Sequence, residues 1–353
     1  MVLAEKVRGI VRWVWANFLA ASGVLWWAKR QLRGDGAVVT LIFHRVLGES
    51  SYRKTLSQPE IIVREHTFRE LVAYIARRYQ PVELTEAALG TSSRKLKVAF
   101  TFDDGWADNY RVAFPIIREY GVPLLIFITS GLVGKNAPFW PEQVIALMRA
   151  MQPSRHDAEV TAFIEDLKKC VPEERERRLT KLREQANEQG ISFTPTEVDA
   201  TLSWPEIAEM DQAGIRFGSH TQSHLILTTA QPDTVRQEVL ESKAAIESAL
   251  GERCDTFSFP NGNWSPETRR ILAEAGYKLA VTSDPGAWTA TCDPLSIPRF
   301  NIYEEKLVGP TGRFSPSMLE YATFWKAWRA TRIKSYLSVQ ENSRIEAGLA
   351  KTR

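Results

Sequence analysis

An α/β fold around a parallel sheet is what the order of apolar runs predicts. Three runs, Ala37–Phe43 (AVVTLIF), Leu96–Phe102 (LKVAFTF) and Pro123–Ile128 (PLLIFI), are short, continuous and rich in β-branched or aromatic residues. That is the pattern of strands buried on both faces. Helical periods lie between them. Thr67–Tyr79 puts Phe68, Leu71, Val72 and Ile75 on one face, and Asn109–Tyr120 carries Pro115, where a kink is expected. Strand–helix alternation with polar residues at strand ends resembles a (β/α) barrel, in which chemistry gathers at the carboxyl ends of the strands.

The remaining elements follow in chain order. Residues 13–28 (WVWANFLAASGVLWWA) hold no charge, with Lys6, Arg8 and Arg12 before them and Lys29, Arg30 and Arg33 after. A spanning helix wants about 20 apolar residues. This run is shorter and contains Asn17, Ser22 and Gly23. The expectation for residues 1–35 is an apolar helix that touches a membrane surface through residues 6–33, its Trp rings at headgroup level. An uncleaved anchor and a helix packed on the protein itself are the alternatives, and Gly34 and Gly36 end the element. Residues 36–310 then form the main domain. Its rhythm breaks at 135–200, where the charge-rich stretch DLKKCVPEERERRLTKLREQANEQG predicts two or three inserted helices. Beyond it, Pro205–Ala213, Pro232–Leu250 and Pro266–Ala275 read as helices. Ile215–Gly218, Thr256–Phe259, Tyr277–Thr282 and Leu295–Phe300 read as strands. A mixed, partly helical tail covers 311–353.

Composition narrows the function classes. A net charge of +3 on 353 residues gives no support to nucleic-acid binding. The cysteines, Cys170, Cys254 and Cys292, form no CxxC pair and suggest neither a disulfide scaffold nor a thiolate metal site. With no clean secretory cleavage site, they lean toward the cytoplasm or the cytoplasmic membrane surface. The 11 Trp, 9 Tyr and 16 Phe suit a sugar-binding cleft and core packing equally.

Two short motifs carry the chemistry: TFDDG at 101–105 and HTQSH at 220–224. Consecutive acids closing a strand point in different directions, so one of Asp103 and Asp104 can bind a metal while the other takes a proton. The bland alternative is a helix-capping Asp. His220 and His224 are four apart and can reach one ion from a helical turn or a tight loop. Two imidazoles and one carboxylate leave positions open for water and substrate, a pattern that suits one divalent ion. Zn²⁺ is the first expectation, with Co²⁺, Ni²⁺ or Fe²⁺ as chemical alternatives. Of five His in the chain, two sit in this motif.

Those motifs resemble the polysaccharide deacetylase family, the NodB-homology group of carbohydrate esterase family 4. TFDDG is similar to its first motif, SHTQSH to its second, and LSWPEIAEMDQAGIRFG to the run that leads into the second. The resemblance implies a distorted (β/α)7 barrel of the NodB-homology type with a helical insertion. It implies that Asp103 is the base and that Asp104, His220 and His224 hold the metal. Phe259-Pro260-Asn261-Gly262-Asn263 is similar to the third motif, whose backbone N–H at Asn261 would hold an oxyanion. Two departures stand out: the family's usual Arg is missing, and no His follows 224. His44, in LIFHRV, resembles the strand-end His of the branch acting on exopolysaccharides such as poly-N-acetylglucosamine, and is the expected general acid, with Asp284 or Asp293 to orient it. Arg299, in IPRFNI, resembles an Arg of that branch and is expected to pair with Asp103. Trp106, Trp264 and Trp288 are candidate sugar-stacking residues, with core packing as the alternative. The implied activity is metal-dependent hydrolysis of the N-acetyl group of an amino sugar in a surface polysaccharide or its precursor. A deacetylase or deformylase of a lipid-linked amino sugar, and a catalytically silent carbohydrate-binding protein, are the alternatives.

Overall fold

The computed structural model describes residues 2–85, 87–91, 93–135, 139–154 and 157–333. Its strands are β1 (Val38–Phe43), β2 (Arg45–Leu47), β3 (Ile62–Arg64), β4 (Gln80–Pro81), β5 (Lys97–Phe102), β6 (Leu124–Ile128), β7 (Arg216–Ser219), β8 (Thr256–Ser258), β9 (Leu279–Val281) and β10 (Arg299–Asn301). The main sheet runs β10-β1-β5-β6-β7-β8-β9, with every pair parallel and β4 added on β5. A parallel bridge between Val281 and Ile297 brings β9 to the approach of β10, so the ends of the sheet nearly meet in a distorted barrel. The short β2 and β3 pair separately.

The helices are α1 (Val2–Ala21), α2 (Val24–Gly34), α3 (Glu49–Tyr52), α4 (Glu65–Arg78), α5 (Ala87–Gly90), α6 (Phe114–Tyr120), α7 (Trp140–Met151), α8 (Asp157–Leu167), α9 (Pro172–Glu188), α10 (Trp204–Gln212), α11 (Pro232–Leu250), α12 (Pro266–Glu274) and α13 (Pro316–Glu320). Local chemistry explains their bounds. Ser203 and Glu206 form a capping box that starts α10 just before the second motif, which satisfies orphan N–H groups there. Pro115 follows directly on a π turn over Asn109–Ala113 that runs unbroken into α6, an irregularity of the kind that lets a helix accommodate the missing N–H. β1 and β5 are buried at every position, and their side chains join the face of α4 in one large core.

Two expectations need correction, in the amino-terminal run and in the last strand. The amino-terminal run is two helices, not one. Gly23, at φ 79, breaks it where only glycine is unstrained. No helix among the described residues is long and apolar enough to cross a membrane. The last strand starts later than expected, because Pro294–Ser296 forms a 3-10 turn. The insertion is α7, α8 and α9, which close on their own apolar cluster around Val144, Ile164, Leu167 and Leu179. All three cysteines are free. Of the expected tail, residues 334–353 lie outside the described residues.

Candidate active site

The site lies at the carboxyl ends of the strands. β5 runs into Asp103, whose N–H donates to the Phe43 carbonyl at the end of β1. β7 runs into His220, whose N–H donates to the Ile128 carbonyl at the end of β6. The residues between the two histidines form a tight loop, not a helical turn. Glu238 on α11 accepts the backbone N–H groups of Gln222 and Ser223, each at 2.9 Å, and so pins it. Four non-glycine residues have positive φ among the described residues: Asp104, Thr221, His224 and Asn261. Such a backbone costs about 1–3 kcal/mol per residue and persists only where its surroundings over-determine it. All four belong to the motifs that hold the site.

Asp104, His220 and His224 offer ligand atoms that all lie within 4.8 Å of one another. Asp104 Oδ1 is 3.4 Å from His220 Nε2 and 3.3 Å from His224 Nε2. Ligands about 2.0–2.1 Å from a tetrahedral ion stand about 3.4 Å apart, so the set fits a Zn-sized cation. Asp104 Oδ1 is buried with no hydrogen-bond partner, a costly state for a carboxylate that a cation would relieve. His220 Nδ1 meets the Ser258 carbonyl at 2.8 Å, which fixes the tautomer that presents Nε2 to the centre. The other Asp104 oxygen accepts from Trp106 Nε1 at 2.9 Å. Burial pushes the Asp104 carboxyl up, but the two facing imidazoles outweigh it and hold it well below the usual range. Together these residues form a divalent-metal site.

Asp103 stands next to the metal site in a different environment. Arg299 donates from Nη1 to Oδ1 at 2.8 Å and from Nη2 to Oδ2 at 2.7 Å, and Ser258 Oγ donates to Oδ2 at 3.1 Å. Burial raises its pKa, yet Arg299, His220 and His44 more than offset this, and the group stays ionised. Neither Asp284 nor Asp293 touches His44. Asp284 accepts from Trp264 Nε1, and Asp293 pairs with Arg269. His44 faces the cavity with Nδ1 buried and unpartnered, and burial lowers its pKa while Asp104 and Asp103 pull it back. Asn261 lines the same cavity in its left-handed turn. Gly262 beside it is obligatory, because a Cβ there would fall 1.5 Å from Ser283 Oγ.

The cavity holding these groups has a volume of about 430 Å³. Another, of about 400 Å³, opens by Leu125, Arg216, Thr256 and Leu279 near the amino ends of the strands, away from the motifs. The candidate aromatics divide. Trp106 lines the active cavity but is 1% exposed and committed to Asp104, so it positions the ligand rather than offering an open stacking face. Trp264 is half-buried, tied to Asp284 and not in the cavity wall. Trp288 needs correction: it is buried in the core and bridges Val38, the first residue of β1, at the far end of the barrel.

Two groups were missed by the sequence. Arg45, fully buried, lies 4.3 Å from the Trp106 ring centroid and bonds Asp108, Asp199, Thr55 and Ser57. It braces the ring that holds Asp104. Glu142, on α7, reaches the cavity from the insertion and accepts from Ser57 Oγ at 3.0 Å. Burial pushes its carboxyl up to about 7, and Arg45 offsets only part of that. Glu142 lies in no motif, and Arg45, though it follows His44 in LIFHRV, carries no local signal of burial, so neither was marked.

A polysaccharide deacetylase family model matches residues 90–280, more than half of the chain. The chain belongs to the polysaccharide deacetylase family. It is 24% identical over 213 residues to YxkH of Bacillus subtilis (strain 168), a polysaccharide deacetylase by name, in a match covering 59% of this chain. That match spans 54% of YxkH, about half of its length. Among solved structures, the Streptococcus pyogenes deacetylase PplD in complex with acetate is similar at TM-score 0.53 and 22% identity, covering 79% of this chain and 99% of that one. IcaB from Ammonifex degensii is similar at TM-score 0.51 and 18% identity, covering 81% of this chain and 95% of that one. At these identities the likeness speaks for the fold.

Proposed function

We propose that this chain is a metal-dependent hydrolase that removes the N-acetyl group of an amino sugar in a surface polysaccharide or its precursor. The observation that carries the reading is the pairing of a three-ligand metal site with a separate buried carboxylate, Asp103, held ionised beside it. A divalent ion held by Asp104, His220 and His224 would supply Lewis-acid polarisation of the acetamide carbonyl and a water of lowered pKa. Asp103 takes the proton of the attacking water, and Arg299 keeps the carboxylate oriented and anionic. The backbone N–H of Asn261 faces the carbonyl oxygen as charge develops there. The C–N bond then breaks, and His44, whose Nδ1 lacks a protein partner, protonates the leaving amine. Acetate and a free amino sugar are the products.

His44 and Arg299 favour the exopolysaccharide-acting branch within the family. A lipid-linked amino sugar is the second reading, favoured by the bare apolar face of α1 described below. The test is a screen of purified, metal-loaded protein for released acetate or formate across polymeric and lipid-linked acylated amino sugars. Release abolished by a chelator is expected. Sugar binding with no release from any of them would assign the chain to a silent carbohydrate-binding role.

A further inference from the structure

Helix α1 has two unlike faces. One packs on the protein: Ala16 and Leu19 are buried, Asn17 accepts from Ser317 Oγ at 3.1 Å, and Trp13 lies against Gly309. The other is bare. Val7, Ile10, Val11, Val14, Trp15 and Phe18 recur at helical spacing and are each 47% to 61% exposed. On α2, Trp26 and Trp27 are exposed as well. A contiguous stripe of this kind marks an interaction surface.

Charge indicates what covers it. Between Val7 and Gly34 there are five basic residues and no acidic one. Arg8, Arg30 and Arg33 are exposed. A second cationic group adjoins the helix. Lys306 and Lys326 are held below the usual lysine range by burial first and then by cationic repulsion that includes Arg12, Lys306 falling to about 8. A phosphate at this cluster would relieve the repulsion. Lys29 pairs with Glu320, which leaves the exposed arginines beside the stripe. An apolar, aromatic stripe beside exposed cations is the composition of a helix lying in a bilayer interface. A second copy of this chain would bring like charge to the same surface. The cluster also fixes orientation. Lys306 Nζ donates to the Asn301 carbonyl at 2.8 Å, and Asn301 ends β10 and lines the active cavity.

We propose that the bare face of α1, with the Arg12–Lys306–Lys326 cluster, docks on an anionic lipid bilayer and holds the rim of the active cavity at its surface. The bilayer contact stands alone. Its consequence for substrate, an acylated amino sugar carried on a lipid phosphate, rests on the deacylase reading above.

The test is flotation of the full chain with phosphatidylglycerol vesicles and with phosphatidylcholine vesicles. The chain should float with the former at low salt and much less with the latter. Val11→Glu and Phe18→Glu should each lower the bound fraction about tenfold or more, since each puts a carboxylate into the apolar contact. Their circular dichroism and their hydrolysis of a soluble acetylated oligosaccharide should match the parent. Failure of the parent to float with phosphatidylglycerol would overturn the proposal, as would undiminished flotation of both variants. A dimer in sedimentation that Val11→Glu splits into monomers would assign the face to a second copy instead. Flotation without any deacylation would leave the bilayer contact standing and sink the functional reading.

Discussion

Arg299 grips Asp103 through two parallel hydrogen bonds, and both side chains are almost wholly buried. The pair joins β10 to the end of β5 across β1, which lies between them in the sheet. Breaking it strands a buried charge. Arg299→Met should cost about 3–5 kcal/mol in chemical denaturation, and Arg299→Met with Asp103→Asn should cost clearly less than the sum of the single changes. Strict additivity would mean that the pair is not coupled.

His44 tests the acid. Burial lowers its pKa below 6.5, with Asp104 and Asp103 opposing. The protonated, donating form is therefore populated below that lowered pKa and lost as pH rises through it, so kcat should fall on that limb. His44→Gln should reduce kcat by about 10²–10⁴ and remove the limb while metal content stays unchanged. A variant that keeps the limb would place the acid elsewhere.

Glu142 gives a stability prediction with a definite sign. Its carboxyl is raised from 4.5 to about 7 in the fold, with burial as the main cause. Between those values the folded state binds more protons than the unfolded one, so stability falls as pH rises and stays lowered above about 7. The full effect is on the order of 3 kcal/mol. Glu142→Gln should flatten the pH dependence of unfolding over that window and leave the variant more stable at pH 8. An unchanged profile would contradict the buried, raised carboxyl.

Metal binding should stabilise the fold by mass action. A ligand that binds only the folded state adds about 4 kcal/mol at a thousand times its Kd. Zn²⁺ should therefore raise the Tm of the parent, and His220→Ala should abolish most of the rise. An equal rise in both proteins would place the ion at another site.

How much of this was legible in the sequence depended on local density of signal. β1, β5 and β6 could be read because strands buried on both faces leave mostly apolar, β-branched and aromatic runs. The metal ligands could be read because rare residue types sit together in short motifs. β2 and β3 could not, since three-residue strands carry no periodicity. Trp288 was misplaced because ring type does not report which end of the barrel a residue occupies, and its pairing with Val38 is long-range. Arg45 and Glu142 are ordinary surface residue types, and only the closure of α7 and the loops at 55–57 and 196–199 buries them.

The most direct measurement is acetate release together with metal content in Asp103→Asn. The substitution keeps the shape of the side chain and leaves Asp104, His220 and His224 untouched. The variant should retain the parent's metal stoichiometry and lose acetate release from an N-acetylated amino-sugar oligomer. Full release by metal-loaded Asp103→Asn would contradict the division of labour between a metal-holding Asp104 and a proton-accepting Asp103.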